Sequence, residues 1–163
     1  MINIRSANSE DAEAICTIYN HYVRHTTISF EESEVLPSEM SRRILDVVHG
    51  LPWLVLERDG IVDGYAYATK WRARSAYRFS VEISVYVAPA SIGKGYGASL
   101  YEQLFEQLAK LGVHAVIAGI ALPNDASIRL HEKMGFVKVA LFAQVGFKNS
   151  QWIDVGYWQK MMR

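Results

Sequence analysis

Residues Val85 to Leu100, reading VYVAPASIGKGYGASL, constrain this chain more than any other stretch: a short apolar strand runs into a glycine-rich turn that opens directly into a helix. Gly93, Gly95 and Gly97 lack Cβ atoms, so the backbone there can take dihedrals closed to other residues and approach a ligand closely. Its N–H groups would converge at a helix N-terminus carrying partial positive charge, which suits a phosphate or pyrophosphate. The alternative is a strand-to-helix turn with no ligand. Three glycines in five residues carry an entropic cost that packing alone seldom requires.

Spacing separates the phosphate loops that look alike. A Walker A loop needs GxxxxGK followed by Ser or Thr, but Lys94 is followed by Gly95, leaving no hydroxyl to hold magnesium. A dinucleotide fingerprint GxGxxG, counted from Gly93 or Gly95, meets Ala98 or Leu100 at its sixth position, which weakens that reading.

At 163 residues the chain reads as one domain over 1–163, long enough to bury roughly two thirds of its unfolded surface. With 17 basic and 17 acidic residues it has no field to gather nucleic acid or an anionic membrane, so a small-molecule partner is expected. Cys16 is the single cysteine, which excludes an internal disulfide framework and a cysteine metal cluster, and no metal is expected. The opening MINIRSAN has no apolar leader, and no run approaches the roughly 18 apolar residues of a membrane span, so the expected setting is cytoplasmic.

Along the chain, Ile2 to Arg5 reads as a strand, and Asn8 with Asp11 can cap a helix whose apolar positions run Ala12, Ile15, Cys16, Tyr19, Tyr22 and Val23. A second helix spans Ser38 to Val48. Trp53 to Glu57 and Ile61 to Thr69 form a hairpin about Arg58-Asp59-Gly60. The strand Phe79 to Val87 alternates, with Val81, Ile83, Val85 and Val87 on one face and Glu82, Ser84 and Tyr86 on the other, which puts a carboxylate beside the groove. Leu100, Leu104, Leu108 and Leu111 mark the helix after the glycine loop, stopped by Gly112, and Val113 to Ala121 is a buried strand. A short helix over Pro123 to Met134 closes at Gly135, and two last strands lie near Phe136 to Ala143 and Asp154 to Gln159. The expected class is α/β, with an α+β mixed sheet.

Asn124, Ser127 and His131 recur at i, i+3 and i+7, so they share one helix stripe. On spacing alone, a polar ligand surface and a bland reading stay open, the latter with Asn124 as N-cap, Ser127 as surface hydroxyl and His131 facing solvent.

The loop resembles the acetyl-CoA loop of the GNAT N-acetyltransferase superfamily, written Q/RxxGxG/A, with Ile92 standing where Gln or Arg is expected. Nearly the whole chain is similar to the phosphinothricin and methionine sulfoximine N-acetyltransferases: IYNHYV, TISF, WLVLE, GYAYA, WRARSAYRFSVEISVYV, LPNDASIRLHEKMGF and VGFKNSQWIDVGYWQ carry the likeness. The resemblance implies the GNAT fold with splayed central strands. It implies acetyl-CoA as cosubstrate, held by Val85, Tyr86, Val87, Gly93, Lys94, Gly95, Tyr96, Gly97, Ala98, Asn124, Ser127 and Lys133. Glu82 matches the carboxylate proposed as general base. His131 stands where the superfamily commonly carries a tyrosine that protonates the departing thiolate. Phe30, Arg72, Arg74, Tyr77 and Val155 match acceptor-pocket positions, and a homodimer with sites near its interface is implied.

Chemically these residues suit one another. An amine is protonated near neutrality, so acyl transfer needs a base, and a strand carboxylate facing a groove can act directly or through water. A backbone N–H of Val85 or Val87 could stabilise the thioester oxyanion, and Arg72, Arg74 and Arg78 could clamp the acid of an amino-acid-like acceptor. Acetylation of another small amine or of a protein N-terminus, and a silent acyl-CoA-binding regulatory domain, are the alternatives.

Overall fold

Alternation in β4 (Ser80–Val87) sorts its side chains between two cores. On one face, Val81 and Ile83 pack with Leu100, Leu104 and Leu108 of helix α3 (Tyr96–Lys110), whose 3.6-residue period lines these leucines into one buried stripe. Leu111, expected in that stripe, lies past the helix end and is 54% exposed. On the other face, Tyr86 packs against a cluster built by Ile15, Tyr19 and Val23 of α1 (Ala12–His25) and Met40 and Ile44 of α2 (Pro37–Val48). Cys16 is buried in the same stripe of α1, as its spacing indicates.

The computed structural model describes Met1–Arg163. Its seven strands form one mixed sheet in the order β1-β2-β3-β4-β5-β7-β6, with β1 at Ile2–Ser6, β2 at Trp53–Arg58, β3 at Ile61–Lys70, β5 at Ala115–Ala121, β6 at Val137–Lys148 and β7 at Gln151–Met161. Every neighbouring pair is antiparallel except β4 and β5. That parallel pair holds through Ser80↔Ala115, Val81↔Val116 and Glu82↔Ile117 and then stops, while β5 stays paired with β7 as far as Ala121↔Val155. The central strands therefore splay beyond Glu82, and the last helix, α4 (Asp125–Lys133), follows β5 at the open end.

Local chemistry explains most boundaries. Asn8 caps a short 3-10 turn, Ser9–Asp11, through a capping box with Asp11, and α1 follows without a break. Arg5 grips Asp11 through two hydrogen bonds of 2.9 and 2.8 Å, which ties β1 to the start of α1. The β2–β3 hairpin turns on Asp59 and Gly60, both at positive φ, a two-residue geometry that matches strand twist. The last two strands are longer than the sequence suggests. They meet in a tight hairpin at Asn149 and Ser150, again both at positive φ, and register shifts at Lys138/Ala140 and Phe142/Gly146 interrupt the alternation that would have revealed β6. No helix is long and apolar enough to cross a membrane.

Candidate active site

The glycine loop forms as its composition demands. Gly93 (φ +88°) and Gly95 (φ +79°) both sit in the left-handed region, and a Cβ at either would meet nothing within 4 Å, so dihedral and not space calls for glycine there. Gly97 differs, since a Cβ would lie 3.2 Å from Leu130 Cδ2, and its bareness lets α3 and α4 approach. Gly95 is the N-cap of α3 and offers no side-chain cap, so the first N–H groups of the helix are left for a ligand.

A cavity of about 390 Å³ runs along this turn. Val85, Tyr86 and Val87 line one wall; Gly93, Gly95, Tyr96, Gly97 and Ala98 form the loop side; Asn124, Ser127 and Lys133 face them from α4. Asn124 caps α4, its side chain accepting from the Ser127 N–H at 3.2 Å, and also borders the cavity. Lys94 is exposed and does not line this cavity.

Between the splayed strands the space narrows to a cleft of about 60 Å³ where Val85, Ala118, Tyr101 and His131 converge. His131 is only 3% exposed, which corrects the solvent-facing alternative. Its Nδ1 lies 2.7 Å from the Ser127 carbonyl oxygen, which can only accept, so the proton sits on Nδ1. Nε2 is then the acceptor for the Tyr101 hydroxyl at 2.9 Å. Burial lowers the imidazole pKa, which favours this neutral ring.

Past the cleft lies a wider cavity of about 520 Å³, and Glu82 stands in its wall. Ser84, Tyr86, Gly119 and Ala121 line both spaces, so cavity and cleft are continuous. Phe30 and Val155 also line it. Arg72, Arg74 and Tyr77 do not: they are exposed on the β3–β4 loop. The Arg72 guanidinium stacks 4.0 Å above the Trp71 ring, and Trp71 meets the wall residue Tyr157 edge-on at 5.9 Å. The loop is thus a rim beside the Glu82 end.

Tyr19, Ser29, Glu31, Gly119 and Tyr157 also line the cavity; the sequence places Tyr19 in a core stripe and singles out none of the five as a site residue. Ser29, Phe30 and Glu31 belong to the segment joining α1 to α2, which forms part of the cavity wall. It is pinned firmly. Arg43 donates two hydrogen bonds to Glu31 at 2.9 and 2.7 Å, Tyr19 donates to the same carboxylate, and the buried Lys148 donates to the Ser29 carbonyl at 2.6 Å. Phe30 lies over Gly146, where a Cβ would fall 2.5 Å from its Cζ.

Burial raises the Glu82 carboxyl pKa above the ordinary 4.5, and the nearby Arg72 charge partly offsets this. A half-buried carboxylate with no hydrogen-bond partner of its own is suited to take a proton from something that enters the cavity.

Compared with known proteins, residues 4–156 match the model of the acetyltransferase (GNAT) domain family. The chain is 40% identical to the L-methionine sulfoximine/L-methionine sulfone acetyltransferase of Salmonella typhimurium, across 97% of this chain and 93% of that protein. A phosphinothricin acetyltransferase of Sinorhizobium meliloti, solved with acetyl-CoA, superposes with a TM-score of 0.95 at 35% identity, covering 99% of this chain and 88% of that one. A ribosomal-protein-alanine N-acetyltransferase of Brucella melitensis superposes equally well, TM-score 0.95 at 38% identity over 98% and 99% of the two chains. Overall likeness therefore leaves the acceptor to be argued from the pocket.

The raised Glu82 pKa also bears on stability. Because the folded state holds the proton more tightly than the unfolded chain, its contribution is present below the ordinary carboxyl value and is lost as pH rises through the folded value. Glu82→Gln should therefore melt with the wild type in acid and at or above it near neutrality. Thermal melts across that range give the check, and a neutral variant clearly less stable than the wild type would contradict it.

Proposed function

The chain belongs to the GNAT acetyltransferase family, and from that premise we propose that it transfers the acetyl group of acetyl-CoA directly to the primary amine of a small amino-acid-like acceptor such as phosphinothricin or methionine sulfoximine. The observation that carries this reading is Glu82, a partly buried carboxylate of raised pKa in the wall of the cavity that continues into the cleft. Donor and acceptor bind together. The CoA pyrophosphate lies on the Gly93 to Ala98 turn, and the pantetheine passes along Val85 to Val87 with Asn124 and Ser127 opposite. Glu82 takes a proton from the acceptor ammonium, directly or through water, and the freed amine attacks the thioester carbon. A main-chain N–H of Val85 or Val87 holds the oxyanion.

The thiolate departs on the His131 side. A neutral ring whose Nε2 accepts from Tyr101 has no proton there to give, so the part proposed for His131 is to fix the Tyr101 hydroxyl at the edge of the cleft, and the departing thiolate takes the second proton, which the attacking nitrogen loses as the amide forms. Direct transfer also suits Cys16, which is buried in α1 with its thiol pKa raised by burial and is no acetyl carrier. The acceptor's acid would be held by Arg72 and Arg74, turned inward from the rim on binding, with Tyr77 on the same loop. We take the protein to be a single cytoplasmic domain over 1–163. We also take it to be a homodimer, because edge strand β6 exposes Val139, Leu141, Phe142, Val145 and Phe147, an apolar surface of the kind that marks contacts between chains.

Thiol release from acetyl-CoA tests the chemistry. Glu82→Gln should lower turnover by about two to four orders of magnitude with CoA affinity nearly unchanged, and wild-type turnover in this variant at neutral pH would remove Glu82 as base. Arg74→Ala should raise the KM of the amino-acid acceptor and leave that of acetyl-CoA alone. The wild type should in turn favour an acid over its amide, and equal efficiency on both would dismiss the anion clamp. Light scattering in solution should give the mass of two chains, and a monomer would exclude the dimer.

A further inference from the structure

One point of the β5 wall opposite Glu82 carries no side chain. Gly119 borders both the cavity and the narrow cleft. Its φ lies outside the left-handed region, so an ordinary residue could take this backbone conformation, and a glycine inside a strand weakens it. What glycine supplies here is room. A Cβ would lie 3.4 Å from Glu82 Oε2 and 3.0 Å from Cε1 of Tyr157, the residue paired with Gly119 across β5 and β7. The Tyr157 ring has little freedom to yield, since Trp71 and Phe142 meet it edge-on from centroid distances of 5.9 and 5.6 Å.

Chemistry fixes which part of the acceptor meets this bare spot. The reacting nitrogen must lie within reach of the Glu82 carboxylate and of a thioester in the cleft. The carbon bearing that nitrogen, one bond away, then sits at the junction of the two spaces. Its substituents point at the surrounding walls. Besides Gly119 and Ala121 of β5, the residues that line both spaces are Ser84 and Tyr86 of β4 and Ile28 of the α1–α2 segment. Of the residues that line both spaces, Gly119 alone has no side chain.

We propose that Gly119 sets the substitution tolerated at the amine-bearing carbon: its missing side chain is what admits an acceptor whose amine sits on a carbon carrying both a carboxylate and a side chain. This rests on the amino-acid N-acetyltransferase reading above and adds to it the residue that separates α-amino acids from unbranched amines. Gly119 acts on acceptor shape, whereas Arg72 and Arg74 would act on acceptor charge.

The test compares Gly119→Ala with the wild type on two acceptors, L-methionine sulfone and 3-(methylsulfonyl)propan-1-amine, the same chain without the carboxylate. The ratio of kcat/KM for the amino acid over the amine should fall about tenfold or more, as expected when one methyl group intrudes on a close-fitting pocket, and mostly through KM. An unchanged ratio overturns the proposal, whether both efficiencies hold or both fall together. If the methyl disturbs folding by pressing on the ring, Gly119→Ala combined with Tyr157→Leu relieves that contact. Relative to Tyr157→Leu alone the ratio should still drop, and no drop means that Gly119 serves only the packing of Tyr157. A wild type that releases no thiol with either amine overturns the enzymatic reading itself; one that acetylates the amino acid with a ratio insensitive to position 119 overturns only this inference.

Discussion

Strands β4 and β5 are paired through only three residues, and the surrounding structure answers to the gap that opens beyond Glu82. Inside a protein an unpaired backbone group is costly unless something satisfies it. Tyr22 donates its hydroxyl to the Val87 carbonyl, while each strand keeps its outer partner past the gap, through Ala88 N–H to the Asp63 carbonyl beside β4 and Leu122 N–H to the Asp154 carbonyl beside β5. Tyr101, His131 and Ser127 join α3 to α4 through hydrogen bonds that border the cleft without filling it. The remaining edge of β4 is left for a ligand that can lie along it.

A gap of this kind needs walls that stay in place. The segment between α1 and α2 has no regular structure of its own, yet it is anchored by Glu31 to Arg43 and Tyr19, by Ser29 to Lys148, and by Phe30 over Gly146. Both charged anchors draw on partly shielded groups, where hydrogen bonds to ions are stronger than at an open surface. Glu82 is the exception. It faces the same cavity with no hydrogen bond, and burial disfavours its charge. The fold thus leaves one cavity carboxylate, Glu82, desolvated and unpaired, and neutralises the other, Glu31, with an arginine.

Much of this is legible in the order of the residues. The strand, glycine turn and leucine-striped helix from Val85 to Leu108 follow from two periodicities and from glycines whose positive φ values demand them, and alternation in β4 sets Glu82 and Tyr86 on the face opposite Val81 and Ile83. The β6–β7 hairpin is less legible because bulges break its alternation and Asn-Ser is a weaker turn signal than Asn-Gly. Arg72 and Arg74 are conspicuous as neighbours in sequence, but their loop stands at the rim and outside the cavity lining.

Sequence by itself determined what depends on a few consecutive residues: which faces of helices and strands are apolar, where the backbone turns left-handed, and where a helix N-terminus is left uncapped. Only the tertiary structure decided what depends on residues far apart in the chain. Tyr19, Glu31, Glu82, Gly119 and Tyr157 share one cavity because the strand order brings β4, β5 and β7 side by side and lays the α1–α2 segment over them. No local pattern encodes the empty space at Gly119, the direction of the rim arginines or the raised proton affinity of Glu82, because each is set by surrounding atoms that converge only once the sheet is assembled.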